Sequence, residues 1–280
     1  MNSAFANQQM LKRIIPSTGK SLPVIGLGTS RVFDIKPTKE LLAIRQNIMD
    51  ILLNNGGTLI DTSPMYGKSE EIIGRLIENY DRKEELFLAT KVWTKGKLEG
   101  ENQIKESFSK MHTSKIQLIQ IHNLLDWETQ ITTLRKMKEL GEIEYIGITH
   151  YKANAFPAME KIITNEPIDF AQFNYSLGER EAENRLLPLC ADQGVATIIN
   201  RPFMRGKLFN SIRGKTLPSW CNDYDIGSWG QFFLKYIISN PAVTNIIPAT
   251  SQPKNMLDNS LAGIGRIPNS KIKTKMLEML

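Results

Sequence analysis

Four side chains in this 280-residue chain have the types and spacing to deliver a proton to an oxygen on which negative charge is developing. Asp61 closes the apolar pair Leu59-Ile60, and Tyr66 follows five positions later in a short loop before a helical pattern. Lys91 comes at the end of Leu86-Phe87-Leu88-Ala89-Thr90, and His122 at the end of Leu118-Ile119-Gln120-Ile121. An ordinary tyrosine titrates at about 10, so a phenol that must give up its proton near neutrality needs a cation beside it to favour the phenolate. Lys91 is the natural cation for Tyr66, Asp61 would pair with Lys91 and hold it in place, and His122 would orient a carbonyl or share the proton. A lone lysine or histidine at a strand end is more often solvated or structurally bonded than reactive. The joint placement of the four carries the reading.

That placement needs strands whose ends open on one face. Eight brief runs rich in Ile, Val, Leu or Thr, at 24–28, 58–62, 86–92, 116–122, 145–149, 170–175, 196–202 and 245–250, alternate with amphipathic helical patterns such as 40–53 and 128–140. The runs lack polar alternation, as parallel strands covered by helices do. Eight such units predict an α/β fold, a (β/α)8 TIM barrel, in which chemistry gathers at the C-terminal ends of the strands. Residues 1–280 are read as one barrel domain, with 1–12 a flexible tail and 13–22 a β-hairpin capping the barrel floor. Asp126 and Gly141 are expected to cap the helix between them, and the aperiodic stretch 206–227 to form a substrate loop. Gly26-Leu27-Gly28 begins like a dinucleotide fingerprint, but the third glycine is missing and no acidic residue closes a following strand at the usual distance, so the pair is read as a tight turn at the end of the first strand.

Composition narrows the classes. A formal charge of +6 and a pI near 9.2 come without a basic run long enough for nucleic acid. No stretch approaches the roughly 20 apolar residues of a membrane span. Lys271, Lys273 and Lys275 read as a solvated helix face. Cys190 and Cys221 have no CxxC partner, which leaves no zinc or redox motif, and Cys190 sits in an apolar helical face expected to be core. Ala4-Phe5-Ala6 has the small-x-small form of a signal-peptidase site, but no charged or apolar region precedes it. The expectation is a cytoplasmic protein, with a periplasmic one as the alternative if that triplet is the remnant of a cleaved signal.

The chain resembles the aldo-keto reductases over residues 15–259, through Gly26-Leu27-Gly28-Thr29, the run from Asp61 to Gly67, Thr90-Lys91-Val92, Ile121-His122, Gly147-Ile148-Thr149, Gln172-Phe173-Asn174-Tyr175-Ser176 and Ile247-Pro248-Ala249-Thr250 with Asn259. Asp61, Tyr66, Lys91 and His122 match that superfamily's tetrad in order and context. The resemblance implies an NADP-dependent enzyme that reduces an aldehyde or ketone to an alcohol, with a small carbonyl substrate and monomer as the default state. It also implies NADPH lying across the barrel mouth, with Gln172 holding the nicotinamide carboxamide. NADPH is the expected cofactor and NADH is not excluded. Thr29, Thr149, His150, Gln172, Arg201, Pro202, Phe203, Arg205, Thr250, Lys254 and Asn259 are the expected cofactor-binding residues, and Trp93, ahead of Trp127 and Trp220, the expected substrate wall.

Three positions depart from the family pattern. Thr149-His150 replaces the usual Ser-Asn. Asn200 stands where an aromatic residue usually stacks on the nicotinamide, so that Arg201 or Phe203 would have to cover the ring. Ala249 and Asn255 thin the cations of the phosphate-binding segment, leaving Lys254, with Arg201, Arg205 and Lys207 to compensate. These departures motivate the alternative of a nicotinamide-binding sensor or regulatory subunit with little turnover. A hydrolase is more distant, since paired carboxylates and metal-spaced histidines are absent from the strand ends.

Overall fold

The computed structural model describes residues 9–280, so Ala4-Phe5-Ala6 and the first part of the expected tail lie outside the described residues. Within that expected tail, Met10 is buried, the Leu11 amide donates to the Gly263 carbonyl at 2.8 Å, and Lys12 opens the first strand.

Strands β1 (Lys12–Ile14) and β2 (Ser21–Pro23) form an antiparallel hairpin. Eight parallel strands follow: β3 (Leu27–Gly28), β4 (Leu59–Asp61), β5 (Phe87–Val92), β6 (Ile116–His122), β7 (Ile143–Thr149), β8 (Phe170–Asn174), β9 (Ala196–Asn200) and β10 (Asn245–Ile246). Their order in the sheet is their order in the chain, and bridges from Ile25 to Ile246 and from Gly28 to Ala249 close it into a barrel. The outer layer holds α1 (Lys39–Asn54), α2 (Ser69–Ile77), α3 (Lys97–Lys110), α4 (Trp127–Glu139), α5 (Phe156–Asn165), α6 (Leu186–Asp192), α7 (Lys207–Ser211), α8 (Trp229–Ile238), α9 (Pro253–Leu261) and α10 (Ser270–Leu277). None of these helices is long and apolar enough to cross a membrane.

Two apolar shells follow from the strand period of two. Outward-facing residues such as Ile60, Ile119, Ile121 and Phe173 pack under the helices. Inward-facing Leu59, Ala89, Leu118, Tyr145, Phe170 and Ile198 fill the lower barrel together with Ile15 and Leu22 of the hairpin region. The buried Tyr145 hydroxyl reaches Thr18 of the hairpin turn at 2.9 Å, so the hairpin does cap the floor.

Several local expectations change. The Gly26-Leu27-Gly28 motif is not a turn: a Cβ on Gly28 would lie 2.8 Å from the Ile247 carbonyl, so glycine there lets β3 and the chain after β10 approach closely enough to close the barrel. Asp126 precedes α4 in a left-handed conformation (φ 50°) and does not cap that helix with its side chain. It accepts instead from the Gly96 amide at 2.7 Å and ties the loop after β5 to the start of α4. Gly141 ends the helix as expected, with φ 74°. Stretch 206–227 carries α7 and a short 3-10 helix, Ser219–Tyr224, that buries Cys221. Lys273 is not solvated: it bonds Glu183 at 2.5 Å, the same carboxylate that accepts from the Tyr175 and Tyr236 hydroxyls.

Candidate active site

Above the apolar floor, the next inward-facing residues of four strands are polar and nearly sealed from solvent. Lys91 of β5 is fully buried and donates to Asp61 Oδ2 of β4 at 2.6 Å and to the Thr62 carbonyl at 2.7 Å. The second Asp61 oxygen accepts from Gln172 of β8 at 2.8 Å and from Gln120 of β6 at 3.0 Å. Gln172 in turn donates to Gln120 Oε1 at 3.2 Å and accepts from the Thr149 hydroxyl of β7 at 3.1 Å. Charge pairing with neutral donors on the remaining oxygen is what makes a buried ion pair tolerable. Burial alone lowers the pKa of Lys91, but Asp61, with the Tyr66 phenol beside it, raises it above the ordinary lysine value.

Tyr66 lies in the loop from β4 to α2, which is clamped at several points. Its amide donates to the Ser63 carbonyl at 3.0 Å, and its carbonyl accepts from the Ser69 hydroxyl at 2.8 Å. Gly67, with φ 58°, passes so close to Asp34 that a Cβ would lie 2.4 Å from the carboxylate. The Lys91 ammonium stands 5.1 Å from the centre of the Tyr66 ring, and the His122 ring meets that ring edge-on at 5.8 Å. Burial is the largest influence on this phenol and raises its pKa with Asp61; Lys91 lowers it, as expected, but with Arg201 is outweighed, so the net shift is upward and the expectation of a more acidic phenol is corrected. The phenol therefore stays protonated, with the Lys91 ammonium beside its ring.

Burial, reinforced by Lys91 and His150, pushes His122 down to about 3, so its ring is neutral at physiological pH. Its Nδ1 faces the Ser63 hydroxyl at 3.0 Å, while that hydroxyl oxygen accepts from the Met65 amide at 3.3 Å. In the tautomer in which Ser63 donates to Nδ1, Nε2 carries the ring proton. Trp93 packs against His122 at 6.4 Å and is 41% exposed, while Trp127 and Trp220 pack against the core. With Met65, also 41% exposed, Trp93 gives the opening an apolar rim.

The residues expected on the cofactor side fall into distinct groups. Thr29 is fully buried with its hydroxyl on the Asp61 carbonyl at 2.9 Å, so it supports β4. Thr149 and Gln172 belong to the sealed polar layer. His150 stacks on Tyr151 (5.4 Å, 10° between planes), its Nδ1 accepts from the Lys152 amide at 3.1 Å, and burial lowers its pKa. Arg201, at φ 52°, lays its guanidinium 4.0 Å from the Tyr151 ring centre. Pro202 is buried, and Phe203 joins an aromatic cluster with Phe209 at 5.2 Å and Phe233 at 6.5 Å, which turns its ring toward the core. Arg205 and Lys254 are exposed, Lys254 in the first turn of α9. Thr250 is buried with its hydroxyl accepting from the Gln252 amide at 3.0 Å, and Asn259 is buried on α9. An uncapped helix start beside a cation suits a phosphate.

Four further residues belong to the site: Ser63, Gln120, Asn174 and Tyr151. The first three lie two positions from Asp61, His122 and Gln172, Ser63 just past the end of β4 and the other two on the same faces of their strands, and the period of two was the signal that could have found them.

The model of the aldo/keto reductase family matches residues 24–274. Aldo-keto reductase YhdN of Bacillus subtilis is 29% identical over 211 residues, which cover 69% of this chain. The NADH-specific methylglyoxal reductase of Escherichia coli is 28% identical over 206 residues, covering 62% of this chain. The chain spans 62% of the length of each of these two relatives. Among solved structures, an aldo-keto reductase from Klebsiella pneumoniae in complex with NADPH superposes with a TM-score of 0.78 at 20% identity, over 96% of this chain and 95% of that one.

Proposed function

Because this chain belongs to the aldo/keto reductase family, we propose that it reduces an aldehyde or ketone to an alcohol with a nicotinamide cofactor, Tyr66 supplying the proton. The observation that carries the reading is the sealed Lys91–Asp61 pair, 2.6 Å between charges, with its ammonium beside the Tyr66 ring. When bound, the reduced nicotinamide supplies hydride to the carbonyl carbon. The residues present fit such a group: the mouth holds a buried amide oxygen of Asn174 and one of Asn200 that have no hydrogen-bond partner among the described residues.

The chain's own groups manage the oxygen. Tyr66 O–H and His122 Nε2–H are the two donors facing the mouth, and a carbonyl oxygen held by both is polarised before it reacts. As charge builds on that oxygen, the Tyr66 proton moves to it. The phenolate left behind is stabilised by Lys91, which Asp61 keeps protonated. Asp61 is held in turn by Gln120 and Gln172, so the cation does not shift as the charge beside it changes.

NADPH is favoured over NADH in this reading, because Arg201, Arg205, Lys207 and Lys254 offer the cations that recognise a 2′-phosphate. The NADH-specific relative marks the competing outcome, and equal dissociation constants for the two cofactors would sink the preference. Mixing NADPH-loaded protein with 4-nitrobenzaldehyde or a small α-oxoaldehyde and following absorbance tests the activity, and single-turnover oxidation is the expected result. Cofactor binding without oxidation by any carbonyl would fit a sensor.

A further inference from the structure

Strand β5 ends at Val92, the last rung of its ladder with β6, and residues 93–96 carry the chain on to α3. Side chains take over the pairing there. Gln103, in the second turn of α3, meets the Trp93 peptide as a neighbouring strand would: its Oε1 accepts from the Trp93 amide at 2.5 Å and its Nε2 donates to the Trp93 carbonyl at 3.3 Å. A peptide N–H only donates and its carbonyl only accepts, so the two bonds together set the orientation of the Gln103 amide. From the start of α4, Gln130 donates to the Thr94 carbonyl at 3.4 Å and to the Gly96 carbonyl at 3.0 Å, and Asp126 accepts from the Gly96 amide at 2.7 Å.

The indole on that peptide is placed differently from the other tryptophans. Trp127, Trp220 and Trp229 pack against the apolar core, whereas Trp93 stands at the mouth, 41% exposed, its ring 6.4 Å from the His122 ring, which in turn meets Tyr66 edge-on at 5.8 Å. Core packing therefore does not fix where this ring stands; its own peptide must. An exposed side chain on an unheld loop moves within nanoseconds, and such a ring gives a ligand little, since the cost of ordering it on binding offsets the contact. We propose that Gln103 is a positioning residue that sets the selectivity of the site: by holding the Trp93 peptide it presents a standing indole wall beside His122, which favours flat aromatic carbonyls over small aliphatic ones. This rests on the functional reading above. A planar ring gains offset or edge contact with the indole, and a three-carbon aldehyde has no ring to offer it.

The test is the ratio of kcat/KM for 4-nitrobenzaldehyde to that for propanal, with reduced dinucleotide saturating. In Gln103→Ala this ratio should fall about fivefold, the size of one aromatic contact, through a higher KM for the aromatic aldehyde and with kcat on both carbonyls unchanged. Gln103→Glu keeps an acceptor for the Trp93 amide and loses the donor, so it should recover part of the ratio. Trp93→Ala should show the full loss, and adding Gln103→Ala to it should change nothing further, since the two act through one wall. A wild-type ratio in Gln103→Ala, an equal loss on both aldehydes, or a further loss in the double variant overturns the proposal. A second measurement needs no turnover: the nanosecond anisotropy decay of the Trp93 fluorescence, obtained against Trp93→Phe, should be slow in wild-type protein and gain a fast component in Gln103→Ala. An unchanged decay overturns the clamp. If wild-type protein reduces neither aldehyde, the functional reading fails, and the anisotropy still decides whether Gln103 holds the wall.

Discussion

The two sides of the barrel wall handle buried polar atoms in opposite ways. Around Asp61, on β4 to β8, the Asp61 and Lys91 charges and the Gln120 and Gln172 amides find partners within the protein, and the group is finished before any ligand arrives. One layer higher, on β8 and β9, the Asn174 and Asn200 oxygens are buried and unfinished. A self-satisfied network contributes to folding and holds a charge still. An unsatisfied one weakens the empty protein and is repaired by binding.

The contrast can be broken at four points. Tyr66→Phe removes the proton donor and leaves both networks intact; carbonyl reduction should fall by about 10²–10⁴-fold while dinucleotide affinity holds, and retained turnover in stopped-flow assays would contradict the assigned donor. Lys91→Met strands the buried Asp61 carboxylate; loss of turnover should come with about 3–5 kcal/mol of lost stability, read from guanidinium unfolding. An unchanged unfolding midpoint would show that water reaches the pair. Next comes the ligand-free comparison of the two sides. Gln120→Leu should cost about 1–3 kcal/mol because Asp61 and Gln172 each lose a partner, whereas Asn174→Leu should cost less, since it removes an acceptor that had none and a single bond to Glu179, which solvent can reach. Equal costs would erase the distinction.

The smallest expected effect is in pH. His122 is held down to about 3, and His150 is lowered as well, both chiefly by burial, so both are neutral above their depressed values. The raised pKa of Tyr66 keeps the donor protonated. Turnover should therefore show no break at the ordinary histidine value of about 6.5. A rate that changes as one group titrates near pH 6.5 would place a charged imidazole in the reaction.

Much of this was legible because it is local. Strand and helix alternation gave the barrel, and the strand ends gave Asp61, Tyr66, Lys91 and His122. Ser63, Gln120 and Asn174 were within reach of the same reasoning, since a strand repeats its face every second residue. The rest depended on the relative height of strands that are not adjacent. Gln172 meets Asp61 across the barrel interior at 2.8 Å, a fact of shear and tilt that no single strand's sequence carries. Lys273 read as solvated because its partners, Glu183, Tyr175 and Tyr236, come from three other parts of the chain. Gly28 looked like a turn because the close passage of the chain after β10, some 220 residues on, is invisible in a local window.

The hairpin under the barrel has one more consequence. With Ile15 and Leu22 packed into the base and Thr18 bonded to Tyr145, the barrel is a cup with one rim. Anything that reaches Tyr66 must therefore enter and leave by the same side. If a cofactor and a carbonyl both bind there, the one seated deeper should arrive first and leave last, and product-inhibition patterns are where that order would be read.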